Sequence, residues 1–347
     1  MAYTTINKSS EHFNTKLWTG TGNAQTISGV GFQPDLSWSK GRNYEYAHQW
    51  IDSVRGITKQ LNSNDNQPEG TNANGITAFN SDGFVIGTQP EMSSNGKTFA
   101  SWNWKANGAG SANTDGSINS TVSVNTTAGF SIVSWTPTTT SSPQTIGHGL
   151  GVAPKMMIVR NRDAAGAWRV YHSAMGATKA LNLNNTDAQI NDNGFWNDVE
   201  PTSSVFTTGN GYAYTTGGST DDYIAYCFAE KQGYSKFGSY IGNGNADGTF
   251  VYTGFKPAFV MFKKTSGSAD NWQLWDNKRD TFNPVEKAIH PDIANTASTD
   301  QDIDFLSNGF KIRSSVAHLN QSGVKSIYMA FAEAPLVGTN NVPCTAR

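Results

Sequence analysis

Short runs in which apolar and polar residues alternate, broken by Gly, Asn, Asp and Ser, recur along the whole chain. A period of two places alternate side chains on one face of a strand. In Leu36-Ser37-Trp38-Ser39-Lys40 one face carries Leu36, Trp38 and Lys40, and the other is polar. The same phase gives Met156, Ile158 and Arg160, then Phe259, Met261 and Lys263, and here the second face of the last run is apolar (Ala258, Val260, Phe262). Burial of that second face is therefore expected to differ between the runs. Runs at this spacing, bounded by turn residues, predict antiparallel sheets packed as sandwiches, with a lectin-type jelly roll as the preferred version.

These runs belong to a longer repeat. Gly31-Phe32-Gln33-Pro34, Gly151-Val152-Ala153-Pro154 and Gly254-Phe255-Lys256-Pro257 each open a strand that ends on a basic residue at the same interval, Lys40, Arg160 or Lys263. HQWIDS, WRVYHS and WQLWDN follow, aligning Ser53, Ser173 and Asn277. Ser81-Asp82-Gly83-Phe84, Asp192-Asn193-Gly194-Phe195 and Ser307-Asn308-Gly309-Phe310 then frame a turn before another strand. Each copy closes on an apolar strand, with Trp104, Phe228 and Phe331 equivalent. The reading is an all-β chain of three tandem sandwich units at 1–107, 129–232 and 233–335, with a flexible linker at 108–128 and a tail at 336–347.

Composition supports this. The chain has 347 residues, 37% hydrophobic and 12% aromatic, enough to bury cores, and 35 Gly suit tight turns. Only 15% is charged, the net charge is -2, and Lys and Arg form no long run, which argues against a nucleic-acid or anionic-membrane partner. No stretch reads as a signal peptide or a membrane-spanning helix, so a soluble product of the cytoplasm is expected. Cys227 reads as a small core residue and Cys344 as a free thiol in the tail.

Candidate chemistry is sparse. Asp52 with Arg55 recurs as Asp276 with Arg279, a conceivable sugar-binding or catalytic dyad, but the middle copy has His172 and Met175 there. A common feature of repeats belongs first to the fold, so an ion pair beside a strand end is expected. Glu45, Glu69, Glu91, Glu200, Glu230, Glu286 and Glu333 are dispersed and form no repeated glycosidase pair. Of the six histidines (His12, His48, His148, His172, His290, His318) none pairs at ligand spacing. Asn243, Asn245 and Asp247 have the composition of a calcium loop without its late acid, and a plain hairpin explains the same letters. Tyr44, Tyr46, Trp196, Tyr212 and Tyr214 sit in loop-like contexts suited to stacking on sugars or to packing between units. No catalytic residue, metal site or cofactor is assigned.

The segments WTGTGNAQTISGVGFQPDL, FNSDGF, SWNWKA, IGHGLGVAPKMMIV, YIAYCFAEKQGYSKFGSY, GNGNADGTFVYTGFKPAFVM and MAFAEAP, taken together, resemble a family of virion proteins from tailed phages of marine bacteria, including cyanophages. The resemblance runs from Phe13 to Pro335. It implies a phage structural protein located in the virion, a tail fibre or host-recognition appendage of non-catalytic binding role, partnered by other virion proteins and by host surface glycan. The alternatives are a capsid decoration or tail-assembly protein and, third, a polysaccharide depolymerase. Low net charge, many apolar β residues and short linkers holding compact units in line lead to the expectation of a symmetric homo-oligomer, and the resemblance to fibres implies that it is a homotrimer.

Overall fold

The computed structural model describes residues 4–139, 142–209, 220–299 and 302–335. The first unit contains β1 (Phe13–Thr19), β2 (Gln25–Ser28), β3 (Leu36–Gly41), β4 (Gln49–Asp52), two short strands β5 (Lys59–Gln60) and β6 (Gly70–Thr71), then β7 (Ile76–Asn80), β8 (Gly83–Ile86) and β9 (Thr98–Trp104). β10 (Ser111–Asn113) and β11 (Ser120–Asn125) lead into the second unit, which holds β12 (Phe130–Trp135), β13 (Thr145–Gly147), β14 (Met156–Asn161), β15 (Arg169–His172), β16 (Lys179–Asn182), β17 (Ile190–Asn191), β18 (Val205–Thr207) and β19 (Tyr223–Phe228). The third comprises β20 (Ser235–Ile241), β21 (Phe250–Tyr252), β22 (Phe255–Lys264), β23 (Gln273–Asp276), β24 (Ile303–Leu306), β25 (Gly309–Ile312) and β26 (Lys325–Pro335).

One strand order occurs three times, as β1-β9-β3-β4, β12-β19-β14-β15 and β20-β26-β22-β23, with every pairing antiparallel. A smaller sheet lies opposite each: β2-β8-β7, β13-β18 and β21-β25-β24. First pairs with last and second with next-to-last, as in a jelly roll, whereas the third and fourth strands pair directly as a hairpin. Pro34, Pro154 and Pro257 mark the same strand in each unit, and Leu36, Met156 and Phe259 pair with Trp104, Phe228 and Phe331.

The units are not in line. Their larger sheets surround one shared core, in which the rings of Trp104 and Phe228 lie 6.1 Å apart, Trp104 and Phe331 5.7 Å, and Phe228 and Phe331 6.1 Å. Each larger sheet is thus buried on both faces. Leu36, Trp38, Met156, Ile158, Phe259 and Met261 point to the common centre. The opposite faces fill the separate sandwich interiors, with Met157 and Val159 in the second unit and Val260 and Phe262 in the third. In the first unit β3 and β9 turn polar residues onto an otherwise apolar interior of Ile27, Ile51, Phe84 and Ile86, and these are equally buried: Ser37 and Ser39 hydroxyls are 3.3 Å apart, and the Asn103 amide donates to Ser101 Oγ at 2.9 Å. Hydrogen bonds among the polar groups, rather than exposure, let serines occupy that face.

Residues 108–128 are not a free linker. They form the hairpin β10-β11, and β11 pairs along β12 from Ser120 opposite Trp135 to Asn125 opposite Phe130. The Gly-Phe turns also divide. A Cβ at Gly83 would meet Ile27 O at 2.0 Å, and one at Gly309 would meet Val251 O at 2.0 Å, so both turns need glycine for close strand approach. In the middle copy Gly194 is followed by turn rather than strand: Asn197 and Asp198 take left-handed φ of 54° and 55°, while Phe195 and Trp196 drop into the core.

Candidate functional site

The recurring dyads are found at the seams between units. Asp52 ends β4, and its carboxylate accepts the backbone N–H of Val54 (3.0 Å) and Arg55 (2.9 Å) and Arg55 Nε (2.5 Å), so one acid both caps the turn and pairs the guanidinium. Its remaining partner crosses the seam: the Tyr226 hydroxyl of the second unit donates to Oδ2 at 2.8 Å. Asp276 repeats this with Arg279 Nε (2.5 Å) and with the Trp102 indole N–H, arriving from the first unit at 3.0 Å. Tyr226 and Trp102 stand at the same position of their units, and Met329, which has nothing to donate, stands there in the third. The position facing the third unit's strand is His172. Its Nδ1 accepts Ala174 N–H at 3.1 Å, leaving Nε2–H to donate to Tyr328 O at 3.1 Å. A histidine therefore replaces Asp where the neighbour offers a carbonyl instead of a donor.

Two further contacts follow the same rotation. Trp168 Nε1 donates to Asn62 O (2.9 Å) and Trp272 Nε1 to Asn182 O (2.8 Å), each across a seam. At the third seam His48 takes the indole's place: Nδ1 accepts Trp38 Nε1–H at 2.9 Å, so Nε2–H donates to His290 O at 3.0 Å. The basic residues ending β14 and β22 also reach the preceding unit's loop, Arg160 to Asn66 O (2.8 Å) and Lys263 to Thr186 O (3.3 Å). Burial lowers Lys40 and Lys263 to about 8, and Arg160 to about 10, because the desolvated charge is disfavoured. Glu69 bridges the first seam, taking Arg55 Nη1 at 3.1 Å and Arg162 Nε and Nη2 each at 3.0 Å. Arg55 and Asp52 have side chains that are 0% exposed, and Asp276 likewise. A dyad closed on all sides cannot grip a sugar.

Other candidates resolve similarly. Asn243 Oδ1 accepts Asn245 N–H (3.0 Å) and Asn320 Nδ2 (2.8 Å), Asn245 Oδ1 accepts Asp247 N–H (2.9 Å), and Asp247 pairs with Lys311 at 2.7 Å. Those contacts brace a hairpin. Among the described residues no group of three His, Cys, Asp or Glu could hold a metal ion. Glu230 and Glu333 pair with Lys236 and Lys256, both at 2.7 Å, and Glu200 takes the Tyr171 hydroxyl. Trp196 is buried, not exposed, and Tyr44 packs against Tyr46 and Phe99. Cys227 lies in the core, where burial pushes its thiol up. Tyr212, Tyr214, Cys344 and the tail fall outside the described residues.

What stays open is a surface that no motif singled out. A depression of about 360 Å³ beside Phe282, which is 82% exposed, is lined by Lys256, Asn277, Lys278 and Glu333. It runs on past Phe13, Asn14 and Thr15 and then into a further depression of about 320 Å³ at Lys16, Leu17 and Gly29. An exposed aromatic beside such concavity is a binding surface in form.

A family model described as a domain of unknown function, DUF7483, matches residues 8–335. The chain belongs to the DUF7483 family. The match spans all three large sheets and the seams between them, so the DUF7483 domain covers more than one of them. No curated protein matches the chain.

Proposed function

We propose that this chain is a non-catalytic structural and binding component of a tailed-phage virion, a tail fibre or host-recognition appendage. The resemblance running from Phe13 to Pro335 supports placement in the virion. The use of the recurring charged pairs as seam fastenings supports the non-catalytic role: the groups that could have been chemistry are spent on holding three units rigid. Binding then falls to loops and to the surface around Phe282, carried on a scaffold fixed by its shared core. Host surface glycan and other virion proteins are the proposed partners. Locating the protein in purified particles by cryo-electron microscopy tests the reading, and particles that lack it refute it. Release of reducing ends from host glycan, lost on mutating one carboxylate, would instead establish a depolymerase.

A capsid decoration role is the second reading, and one observation favours it. One strand order recurs three times around one shared core, so a single chain can offer similar surfaces to several neighbours in a lattice. The proposed homotrimer needs a different surface from the one first expected, because the apolar sheet faces are covered within each chain. Mass measurement of the purified protein decides it.

A further inference from the structure

We propose that the outer edge of β1 is a docking site for an extended polypeptide strand from a partner chain, with apolar side chains at alternate positions and acidic ones facing solvent. The inference stands on the internal repeat and does not depend on the virion reading. At the seam of the first and second units the equivalent edge, that of β12, is already filled by such a strand. β11 lies along it in antiparallel register, burying Val122 in the sandwich core. The chain feeding it is held by the first unit: Asp35 accepts Ala106 N–H at 2.6 Å and Gly108 N–H at 2.9 Å, and Ser53 Oγ donates to Gly108 O at 2.5 Å.

The seam of the third and first units repeats this geometry without the strand. β1 replaces β12, Asn277 replaces Ser53 and Ala258 replaces Asp35, and β1 ends its sheet with no strand beyond it among the described residues. The groove there continues an interface the chain already makes. Two polar atoms in its walls, Thr15 Oγ1 and Asn277 Oδ1, are buried without a hydrogen-bond partner. Buried polar atoms normally find partners, and a strand edge is a template for one more strand. The remaining such edge, that of β20, is different: its first residues are tied back by Ser235 N–H to Lys231 O (2.9 Å) and Lys236 to Glu230 (2.7 Å), because the connection between those units is short.

Charge selects the occupant further. Lys16 and Lys278 flank the groove, its carboxylates Glu333 and Asp280 are matched by Lys256 and Lys287, and Asp82, which lies near Lys16, gives its oxygens to Gly29 and Gly31 N–H at 2.9 and 2.8 Å. Acidic side chains on the incoming strand complement those lysines.

The test uses the full chain and a labelled peptide of the sequence 117–125, with Asn119→Glu and Thr121→Glu to supply the acids. Fluorescence anisotropy is expected to show saturable binding, and hydrogen exchange to show new protection of the Asn14–Leu17 amides. Asn277→Leu and Lys278→Glu should each weaken binding about tenfold, which corresponds to about 1.4 kcal/mol. A proline at the Val122 position of the peptide should abolish it, since proline removes a ladder donor. Absence of saturable binding, equal binding of the proline peptide, or protection confined to other strands overturns the proposal. So does a dimer of the free protein whose β1 amides are protected, which assigns the edge to a second copy. A disulfide between Cys344 and a Lys16→Cys variant would assign it to the chain's own terminal segment.

Discussion

Replacing Tyr226 by Phe tests whether the dyads fasten units or serve a surface site. The change removes one atom, the hydroxyl that donates to Asp52 Oδ2 at 2.8 Å across the first seam. It leaves the ring packed against Trp50, with centroids 4.9 Å apart, so no cavity contributes. A buried hydrogen bond to a charged acceptor contributes about 1.5–3 kcal/mol. Asp52 keeps three other donors, which places the expected loss near the lower part of that range, about 2 kcal/mol. That is roughly a thirtyfold drop in the folded-to-unfolded ratio. Urea unfolding followed by tryptophan fluorescence measures it. A double-mutant cycle with Asp52→Asn should show coupling between the two sites. Met329→Leu, at the equivalent position where no such bond exists, should cost under about 1.5 kcal/mol. If Tyr226→Phe changes stability by less than about 0.5 kcal/mol and the cycle is additive, the fastening role is wrong.

Acid should weaken the protein through His172 and His48. His172 is held at about 4 and His48 well below its ordinary value, chiefly by burial, and protonated Nδ1 would face Ala174 N–H and the Trp38 indole N–H respectively. The unfolded chain binds more protons between the two His172 values, so stability is complete above about pH 6.5 and falls as pH drops toward 4. His172 alone contributes about 3 kcal/mol of that fall, and denaturation midpoints that do not change over this range contradict it. Phe228→Ala should cost about 3–5 kcal/mol and lower the stability of all three units together, because the ring sits in their shared core. Calorimetry resolving three independent transitions would count against that. Gly309→Ala should destabilise by more than about 2 kcal/mol, since its Cβ would lie 2.0 Å from Val251 O; a neutral effect in thermal melts would refute the close approach.

The strands, the turn glycines and the equivalence of Trp104, Phe228 and Phe331 were legible in the sequence because period-two alternation and tight turns are local, and a repeat states each local rule three times. Local pattern could also show that the Asp-Arg pair was broken in the middle copy, but not why. The reason is the Tyr328 carbonyl, which lies far away in sequence and is brought to His172 Nε2 only by the packing of the units on one another. The same packing decided that the two faces of Leu36–Lys40 are both buried, although one looked solvated: a second sheet covers the serines, and two other units cover Leu36 and Trp38. Residues 108–128 read as a linker because Gly, Ser and Asn dominate them, yet an open strand edge beside them recruits Ser120–Asn125 into a ladder that composition cannot announce. Sequence thus determined the elements and their recurrence, whereas tertiary structure decided which faces meet and which polar groups find partners, because those depend on residues far apart along the chain.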